Sequence, residues 1–230
     1  MQSQLYENLT EVRRKIEQAA QRCGRNADEI KLVAVSKTHP AEVLQEAITA
    51  GASFFGENKV QEAEGKITKI GKEKAEWHLI GHLQANKARK AVKLFDVIHT
   101  LDSVELAERL ERICIEEERP ELRVLAQVDL ANEATKNGIK EKDLHRLIEF
   151  LNNCECLKFS GLMIIPPFFE EAENARPYFR KLREIRDALV PNGELSMGMS
   201  HDYEIAVEEG ATLVRVGTAI FGERENIIRS

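Results

Sequence analysis

Short apolar runs alternate along this chain with longer stretches in which apolar residues recur every three or four positions. The short runs are rich in valine, isoleucine and leucine, which is typical of buried β-strands. The longer stretches carry charged residues between their apolar positions, as amphipathic helices do. The predicted strands span residues 31–36, 53–55, 77–80, 95–99, 122–128, 157–163, 194–196 and 212–216.

Segments with helical periodicity connect these strands. A further amphipathic segment, residues 3–22, precedes the first strand and carries Leu5, Leu9, Val12 and Ile16 at near-helical spacing. In the predicted helix 170–189, Pro177 is a candidate kink. The helices predicted between the strands span residues 41–50, 59–70, 84–92, 102–118, 141–151, 170–189 and 202–209.

The alternation of eight strands with helices predicts an α/β protein with a parallel sheet. No linker, low-complexity segment or internal repeat divides the 230 residues. We therefore predict a single-domain (β/α)8 TIM barrel over residues 1–230, with an extra N-terminal helix within residues 1–25 packed on it. A doubly wound open sheet is the alternative, although no Gly-x-Gly-x-x-Gly follows the first strand.

Composition and charge narrow the class of protein. Hydrophobic residues make up 43% and charged residues 31% of the chain, and the net charge is −6, which argues against nucleic acid or an anionic membrane as the main partner. No apolar run approaches the roughly 18 residues of a membrane span. The N-terminus lacks the basic start and apolar core of a signal peptide. We expect a cytoplasmic protein with reduced thiols.

Three groups of residues could suggest a metal or nucleic-acid site, and each has a plainer interpretation. Cys154 and Cys156 are one residue apart rather than two, which is a weak metal or redox signal. Three histidines near strand ends have no associated carboxylate cluster, so we interpret them as structural or pocket-lining and predict no metal site: His78, His82 and His99. The basic run Lys87, Arg89, Lys90 and Lys93 is typical of a solvated helix face.

Lys37 lies at the carboxyl end of the first predicted strand. Val33, Ala34 and Val35 precede it without a polar residue among them, which indicates a strand buried on both faces. Partial burial there would favour the neutral, nucleophilic amine, which forms Schiff bases with carbonyl compounds. A solvated lysine at a strand end is the alternative for this residue considered alone.

Other residues able to bind a ligand follow the ends of the other strands, where the active sites of such barrels lie. Gly198 with Ser200, and Gly217 with Thr218, offer hydroxyls and free amides at two helix starts, as phosphate sites do. Either pair alone would be weak, because a glycine after a strand is usually part of a turn. Together they predict a phosphate site.

Arg215 lies between Val214 and Val216 in the last predicted strand, so its side chain should face into or over the barrel mouth. It could be a salt-bridged barrel residue. Alternatively, the ring nitrogen of a cofactor could supply the acceptor that a buried guanidinium needs. A lysine for an aldehyde, glycine loops for a phosphate and an arginine for a pyridine nitrogen together describe pyridoxal 5′-phosphate (PLP).

These motifs also carry a family resemblance, which covers nearly the whole chain. The chain resembles the pyridoxal phosphate homeostasis proteins, single-domain relatives of the barrel domain of alanine racemase. The matching segments are Ala34–Thr38, Gly56–Glu62, Trp77–Lys87, Gly161–Met163, Leu195–Ser200 with Asp202, and Val214–Gly222. The resemblance implies a cofactor set of Lys37 as an internal aldimine, Ser200, Gly217 and Thr218 at the phosphate, Arg215 at the pyridine nitrogen, and Asn58 and Met199 near the ring.

Two positions depart from the pattern expected of this family. Ile164 stands where a small or hydroxylated residue is expected, and Asp129 stands where such chains often have asparagine. Both could alter the polarity of the pocket, and we expect neither to touch the cofactor-holding set.

The expected function is binding rather than catalysis. Alanine racemase relatives use as second base a tyrosine from an added β domain of the partner subunit, and we expect no such domain here. The three tyrosines, Tyr6, Tyr178 and Tyr203, fall in predicted helices. We therefore predict a non-enzymatic, cytoplasmic PLP-binding protein, involved in vitamin B6 and amino-acid homeostasis, whose partners are PLP and PLP-dependent apoenzymes and which is a monomer or weak dimer. The alternatives are a weak amino-acid racemase and a lysine Schiff-base aldolase, the latter leaving Arg215 unexplained.

Overall fold

The structure, a computed structural model, describes residues 3–131 and 137–222. Its strands are β1 (Lys31–Val35), β2 (Phe54–Glu57), β3 (Glu76–Leu79), β4 (Val97–Leu101), β5 (Leu122–Asp129), β6 (Ile139–Lys140), β7 (Leu157–Met163), β8 (Glu194–Ser196) and β9 (Leu213–Val216). Its helices are α1 (Gln4–Arg22), α2 (Ala41–Thr49), α3 (Val60–Ile70), α4 (Ala88–Leu94), α5 (Val104–Glu116), α6 (Glu141–Asn152), α7 (Arg176–Leu189), α8 (Tyr203–Glu208) and α9 (Thr218–Phe221).

The sheet closes on itself. Every neighbouring pair is parallel, β1 pairs with both β2 and β9, and β4 pairs with β5, so the strands β1–β5 and β7–β9 form an eight-stranded barrel with helices between the strands. The predicted (β/α)8 barrel is therefore confirmed, and the open-sheet alternative is wrong. The two-residue strand β6 was not predicted, and it pairs with the end of β5 outside the closed ring.

Alternation along the strands separates two apolar layers. Val33, Val97, Leu125, Met163 and Leu213 form a cluster inside the barrel. Their neighbours along the same strands face the helices and belong to the larger outer core: Ala34, Ile98, Val124, Leu162 and Val214. This arrangement explains why the barrel strands carry apolar residues on both faces.

The N-terminal helix α1 packs against α8 and α9 on the outside of the barrel. Its buried face contains Leu9, Val12 and Ile16, as the spacing predicted. At its end, the guanidinium of Arg25 donates to the carbonyl oxygens of Val207 (2.8 Å) and Ala211 (2.9 Å), which joins the N-terminal segment to the α8 region.

Pro177 is not a kink. The helix α7 begins at Arg176, so the proline stands in its first turn. There the missing N–H has no intrahelical acceptor to lose, and the fixed φ angle favours helix entry.

Within residues 3–131 and 137–222, none of the helices combines the length and apolarity that a membrane crossing requires.

Candidate functional site

Lys37 stands two residues beyond β1, at the carboxyl end of the barrel, and is half-buried. The sheet register determines which segments flank it. Val35 is opposite Gly56 of β2, and Ala34 is opposite Val216 of β9. The segments that leave these two strands, with Asn58 on one side and Gly217 on the other, therefore emerge beside Lys37.

Asn58 is held against the loop that follows β3. A β-carbon on Gly81 would lie 2.3 Å from the carbonyl oxygen of Asn58 and 2.7 Å from its α-carbon. Only glycine allows this approach of the two backbones, and it keeps Asn58 at the barrel mouth.

The loops after β8 and β9 are joined to each other. The hydroxyl of Ser200 accepts a hydrogen bond from the backbone N–H of Gly217 at 3.1 Å, and the N–H of Arg215 donates to the carbonyl of Gly198 at 2.9 Å. The carboxyl of Asp202 accepts from the N–H of Met199 at 2.6 Å, and burial raises the pKa of Asp202. The predicted phosphate-binding residues therefore form one connected structure.

This structure can hold a small anion. Because the Ser200 oxygen accepts from Gly217, its own proton remains available to a ligand. Thr218 is exposed beside it and adds a second hydroxyl. Gly198 has a φ of +89°, and a β-carbon there would lie 2.5 Å from that of Ala206, so the loop turns in a way that favours glycine.

Arg215 points into the barrel, as the alternation predicted, since Leu213 belongs to the interior cluster and Val214 to the outer core. Its side chain is only 3% exposed. Nη1 donates to Oγ of Ser196 at 2.6 Å, and Nη2 donates to the carbonyl oxygen of Ile164 at 2.9 Å. Burial lowers the pKa of Arg215 to about 10, which still leaves it protonated at neutral pH.

A line of polar groups continues from Arg215 through the barrel interior. Ser196 Oγ lies 2.8 Å from Nδ1 of His99, and Nε2 of His99 lies 2.7 Å from Nδ1 of His78. Nε2 of His78 lies 2.9 Å from the Glu76 carboxylate. Arg123 pairs with that carboxylate at 2.7 Å. The interior thus connects the two ends of the barrel.

The two ends of this line determine its direction. Ser196 accepts from Arg215 because a guanidinium can only donate, and the carboxylate of Glu76, 2.9 Å from Nε2 of His78, favours a proton on that nitrogen. Nδ1 of His78 is then the acceptor for Nε2–H of His99, and Nδ1 of His99 accepts from the hydroxyl of Ser196. Burial lowers the pKa of both histidines, which are therefore neutral at pH 7, as these tautomers require.

Sequence reasoning missed the role of Ser196 and the link between His78 and His99. The predicted structural or pocket-lining role of the two histidines is correct, since they lie fully buried in the barrel. The available signal was alternation, which places polar side chains inside at β3, β4 and β8. The prediction that Ile164 does not touch the cofactor-holding set is wrong, because its carbonyl oxygen accepts a hydrogen bond from Nη2 of Arg215.

The three tyrosines, His82 and the question of a metal site remain from the sequence analysis. Tyr6, Tyr178 and Tyr203 are in α1, α7 and α8 as predicted, and the buried Tyr203 has its pKa raised by burial to about 12. The half-exposed His82 lies 3.4 Å from Asp102. Within the described ranges, no group of three or more His, Cys, Asp or Glu side chains is arranged to hold a metal ion.

The residues at the barrel mouth fit PLP. An amine from Lys37 suits its aldehyde, the joined loops with Ser200 suit its phosphate, and the protonated Arg215 suits an acceptor such as the pyridine nitrogen. These groups come from β9 and from the segments that follow β1, β8 and β9, and the closed barrel brings them together.

Comparison with known proteins identifies a family model, curated relatives and a solved structure that this chain resembles over nearly its whole length. The model of the alanine racemase N-terminal domain matches residues 8–225. The pyridoxal phosphate homeostasis proteins of Aquifex aeolicus and Escherichia coli are each 42% identical to this chain, covering 95% of it and 98% and 96% of themselves. The structure of PipY from Synechococcus elongatus with PLP bound is 39% identical, has a TM-score of 0.83, and covers 95% of this chain and 100% of its own.

Proposed function

The chain belongs to the family of pyridoxal phosphate homeostasis proteins, and from this membership and the geometry of the barrel mouth we propose that it binds PLP as a Schiff base on Lys37. The observation that carries the proposal is the nearly fully buried guanidinium of Arg215, which lies at the same end of the barrel as Lys37 and the joined loops. Among the residues that the structure describes, Arg215 forms no ion pair with a carboxylate, and such a buried cation suits a ligand acceptor better than a purely structural role.

Each residue of the set has a distinct task. The amine of Lys37 attacks the aldehyde carbon of the ligand, forming a carbon–nitrogen double bond and releasing one water molecule. Ser200, Gly217 and Thr218 hold the phosphate through hydroxyl and backbone donors. Asn58 and Met199 border the ring.

Arg215 governs how reactive the bound ligand becomes. When bound, PLP supplies an electron-withdrawing ring that stabilises negative charge on an attached amino acid. The guanidinium of Arg215 keeps its proton and donates to the ring nitrogen, so that nitrogen stays unprotonated and withdraws electrons less strongly. This favours holding the ligand over converting substrates.

We propose a carrier or regulator of PLP and amino-acid levels rather than an enzyme. Racemisation needs a second base on the opposite face of the ring. Tyr6 is partly exposed on α1, and Tyr178 packs against Phe169. The backbone N–H of Tyr203 donates to the Met199 carbonyl at 2.9 Å, but its side chain is buried and burial raises its pKa to about 12, so we propose none of the three as that base. Apoenzymes that need PLP are the proposed recipients, and a cytoplasmic monomer or weak dimer is the proposed form.

A visible absorption spectrum of the purified protein with added PLP, before and after borohydride reduction, tests the proposal. We expect a yellow band that disappears on reduction and a pyridoxyl mass on the peptide containing Lys37. A Lys37→Ala variant should show neither. A colourless wild-type protein, or an adduct on another lysine, would overturn the proposal. An alanine racemisation assay on the same sample, with Lys37→Ala as the control for contaminating enzyme, separates a carrier from a weak racemase.

A further inference from the structure

A buried ionic cluster surrounds the backbone of Lys37 on both sides. We call it the Lys66 cluster, and it consists of Ser36, Glu57, Glu62 and Lys66. Glu57 ends β2, while Glu62 and Lys66 are one turn apart on α3. None of these residues belongs to the cofactor-holding set described above.

Lys66 is the centre of the cluster. Its side chain is only 7% exposed, and its ammonium donates to the carbonyl oxygen of Ser36 at 2.8 Å, to Glu57 at 2.7 Å and to Glu62 at 2.7 Å. An ammonium has three protons, so these three acceptors use its full capacity. One acceptor is the main chain immediately before Lys37.

The cluster also holds the residue after Lys37. A carboxylate oxygen of Glu62 accepts a hydrogen bond from the backbone N–H of Thr38. Thr38 has a φ of +71°, a left-handed conformation that is costly for a β-branched residue. The same carboxylate oxygen that accepts from Lys66 therefore stabilises the unusual turn that follows Lys37.

Ser36 is held twice. Its hydroxyl donates to the Glu57 carboxylate at 2.6 Å, and its backbone N–H donates to the Gly56 carbonyl at 3.0 Å. Together with the bond from Lys66 to the Ser36 carbonyl, these contacts leave the backbone before Lys37 little freedom. The structure therefore constrains Lys37 from the residue before it and from the residue after it.

Stability alone is a poor explanation for the Lys66 cluster. Burial raises the pKa of Glu57, and its Oε2 has no hydrogen-bond partner among the residues that the structure describes. Buried ion pairs often stabilise a fold no better than apolar residues of similar volume. A costly arrangement of this kind is expected where geometry has to be exact to within a fraction of an ångström.

We propose that Glu57, Glu62 and Lys66 are positioning residues, which hold Ser36 and Thr38 so that the amine of Lys37 meets the aldehyde of the bound ligand. This inference rests on the proposed function. It predicts that weakening the cluster impairs Schiff-base formation more than it impairs binding of the phosphate and the ring.

Two variants and two ligands test the inference. Glu62→Ala removes the acceptor for Thr38 from a partly exposed position, and Lys66→Met removes the central cation while retaining much of the chain length. Absorbance titration with PLP measures Schiff-base formation, and 4-deoxypyridoxine 5′-phosphate, which lacks the aldehyde, measures non-covalent binding. We expect at least about a tenfold loss for PLP, since small misplacements of a reacting group are costly, and less than about a threefold change for the analogue.

Three controls separate a positioning role from a general structural one. Glu62→Gln keeps an oxygen that can accept from Thr38 and should restore much of the PLP binding lost in Glu62→Ala. Lys69→Met alters an exposed lysine of the same helix, paired with Glu42, and should leave both ligands unaffected. Thermal unfolding of each variant checks the fold, and Glu62→Ala provides the test if Lys66→Met fails to fold.

The outcomes are distinct. If wild-type protein forms the Schiff base and the variants match it, or if they lose both ligands equally, the positioning inference is wrong while the proposed function stands. If wild-type protein forms no Schiff base with PLP, the proposed function fails, and the inference fails with it.

Discussion

Arg215 donates to the hydroxyl of Ser196 at 2.6 Å, and this bond joins the barrel mouth to the polar line inside the barrel. Ser196 is fully buried and also lies 2.8 Å from Nδ1 of His99. The serine therefore has a guanidinium on one side and a neutral imidazole on the other. The orientation of Arg215, the cation that we assign to the ligand ring, therefore depends on a residue outside the predicted cofactor set.

Replacing Ser196 with alanine should destabilise the protein and weaken ligand binding. The change leaves Nη1 of Arg215 and Nδ1 of His99 without partners in a buried site, which should cost roughly 2 to 4 kcal/mol of unfolding free energy. Urea unfolding measures this cost, and a PLP titration measures the effect on Arg215. Ser160→Ala, at a half-buried position of β7 whose hydroxyl donates to the carbonyl of Lys158 at 3.3 Å, is the control and should change little. If the Ser196→Ala protein keeps the unfolding free energy and the PLP affinity of the wild type, the polar line has no energetic role.

Folding stability should fall as pH drops below about 6.5. Burial lowers the pKa of His99 well below its usual value, so it stays neutral in the folded protein while it becomes protonated in the unfolded chain. The unfolded state then binds more protons, and stability decreases by up to about 1.4 kcal/mol per pH unit for each such histidine. Urea unfolding between about pH 7.5 and 5.5 measures how the unfolding free energy changes with pH.

The comparison of variants isolates this histidine contribution. Burial raises the pKa of Glu57, whose proton uptake in the folded state acts in the opposite direction at lower pH. Replacing His99 with glutamine should therefore reduce the pH slope relative to wild type, whereas replacing the exposed His145 should preserve it. Equal slopes in the wild-type and His99→Gln proteins would contradict the assignment.

Replacing Gly81 with alanine should displace Asn58 and destabilise the barrel mouth. The added methyl group would lie 2.3 Å from the Asn58 carbonyl oxygen, a separation that requires the backbone to move. We expect a loss of roughly 1 to 3 kcal/mol, as for other overpacking changes, and weaker PLP binding. The control is Gly65→Ala in α3, where the new methyl group meets no atom within 4 Å. That change should stabilise the protein by about 0.5 to 1 kcal/mol. Chemical denaturation of both variants checks the opposite signs.

Replacing Ser200 with alanine should weaken binding of PLP more than binding of pyridoxal, which lacks the phosphate. The variant loses the hydroxyl that we assign to the phosphate and leaves the N–H of Gly217 without its acceptor. A loss of about tenfold in PLP affinity is expected for one such hydrogen bond to a charged group. Titration of PLP and pyridoxal into Ser200→Ala, the wild type and the exposed control Ser53→Ala measures these affinities. An equal loss for PLP and pyridoxal would place Ser200 away from the phosphate.

The sequence alone was sufficient to predict the fold and those site residues that lie at or just after the ends of strands. Eight apolar runs separated by helical segments specify a (β/α)8 barrel, because parallel strands buried on both faces and connected by helices close in this way. Alternation around Arg215 predicted that its side chain faces inward, since Val214 and Val216 flank it. Lys37 could be located because it closely follows Val33, Ala34 and Val35, an apolar run typical of a buried strand.

Only the tertiary structure revealed which side chains control these residues. Ser196 and His99 are 97 residues apart in the chain, and Lys66 reaches the segment after β1 from the helix α3. No local periodicity encodes such contacts, because they depend on the register of the closed sheet and on the direction of each buried side chain. The sequence therefore determined the barrel and the residues at its mouth, while packing decided how Arg215 and Lys37 are held, since buried hydrogen-bond partners are set by three-dimensional proximity.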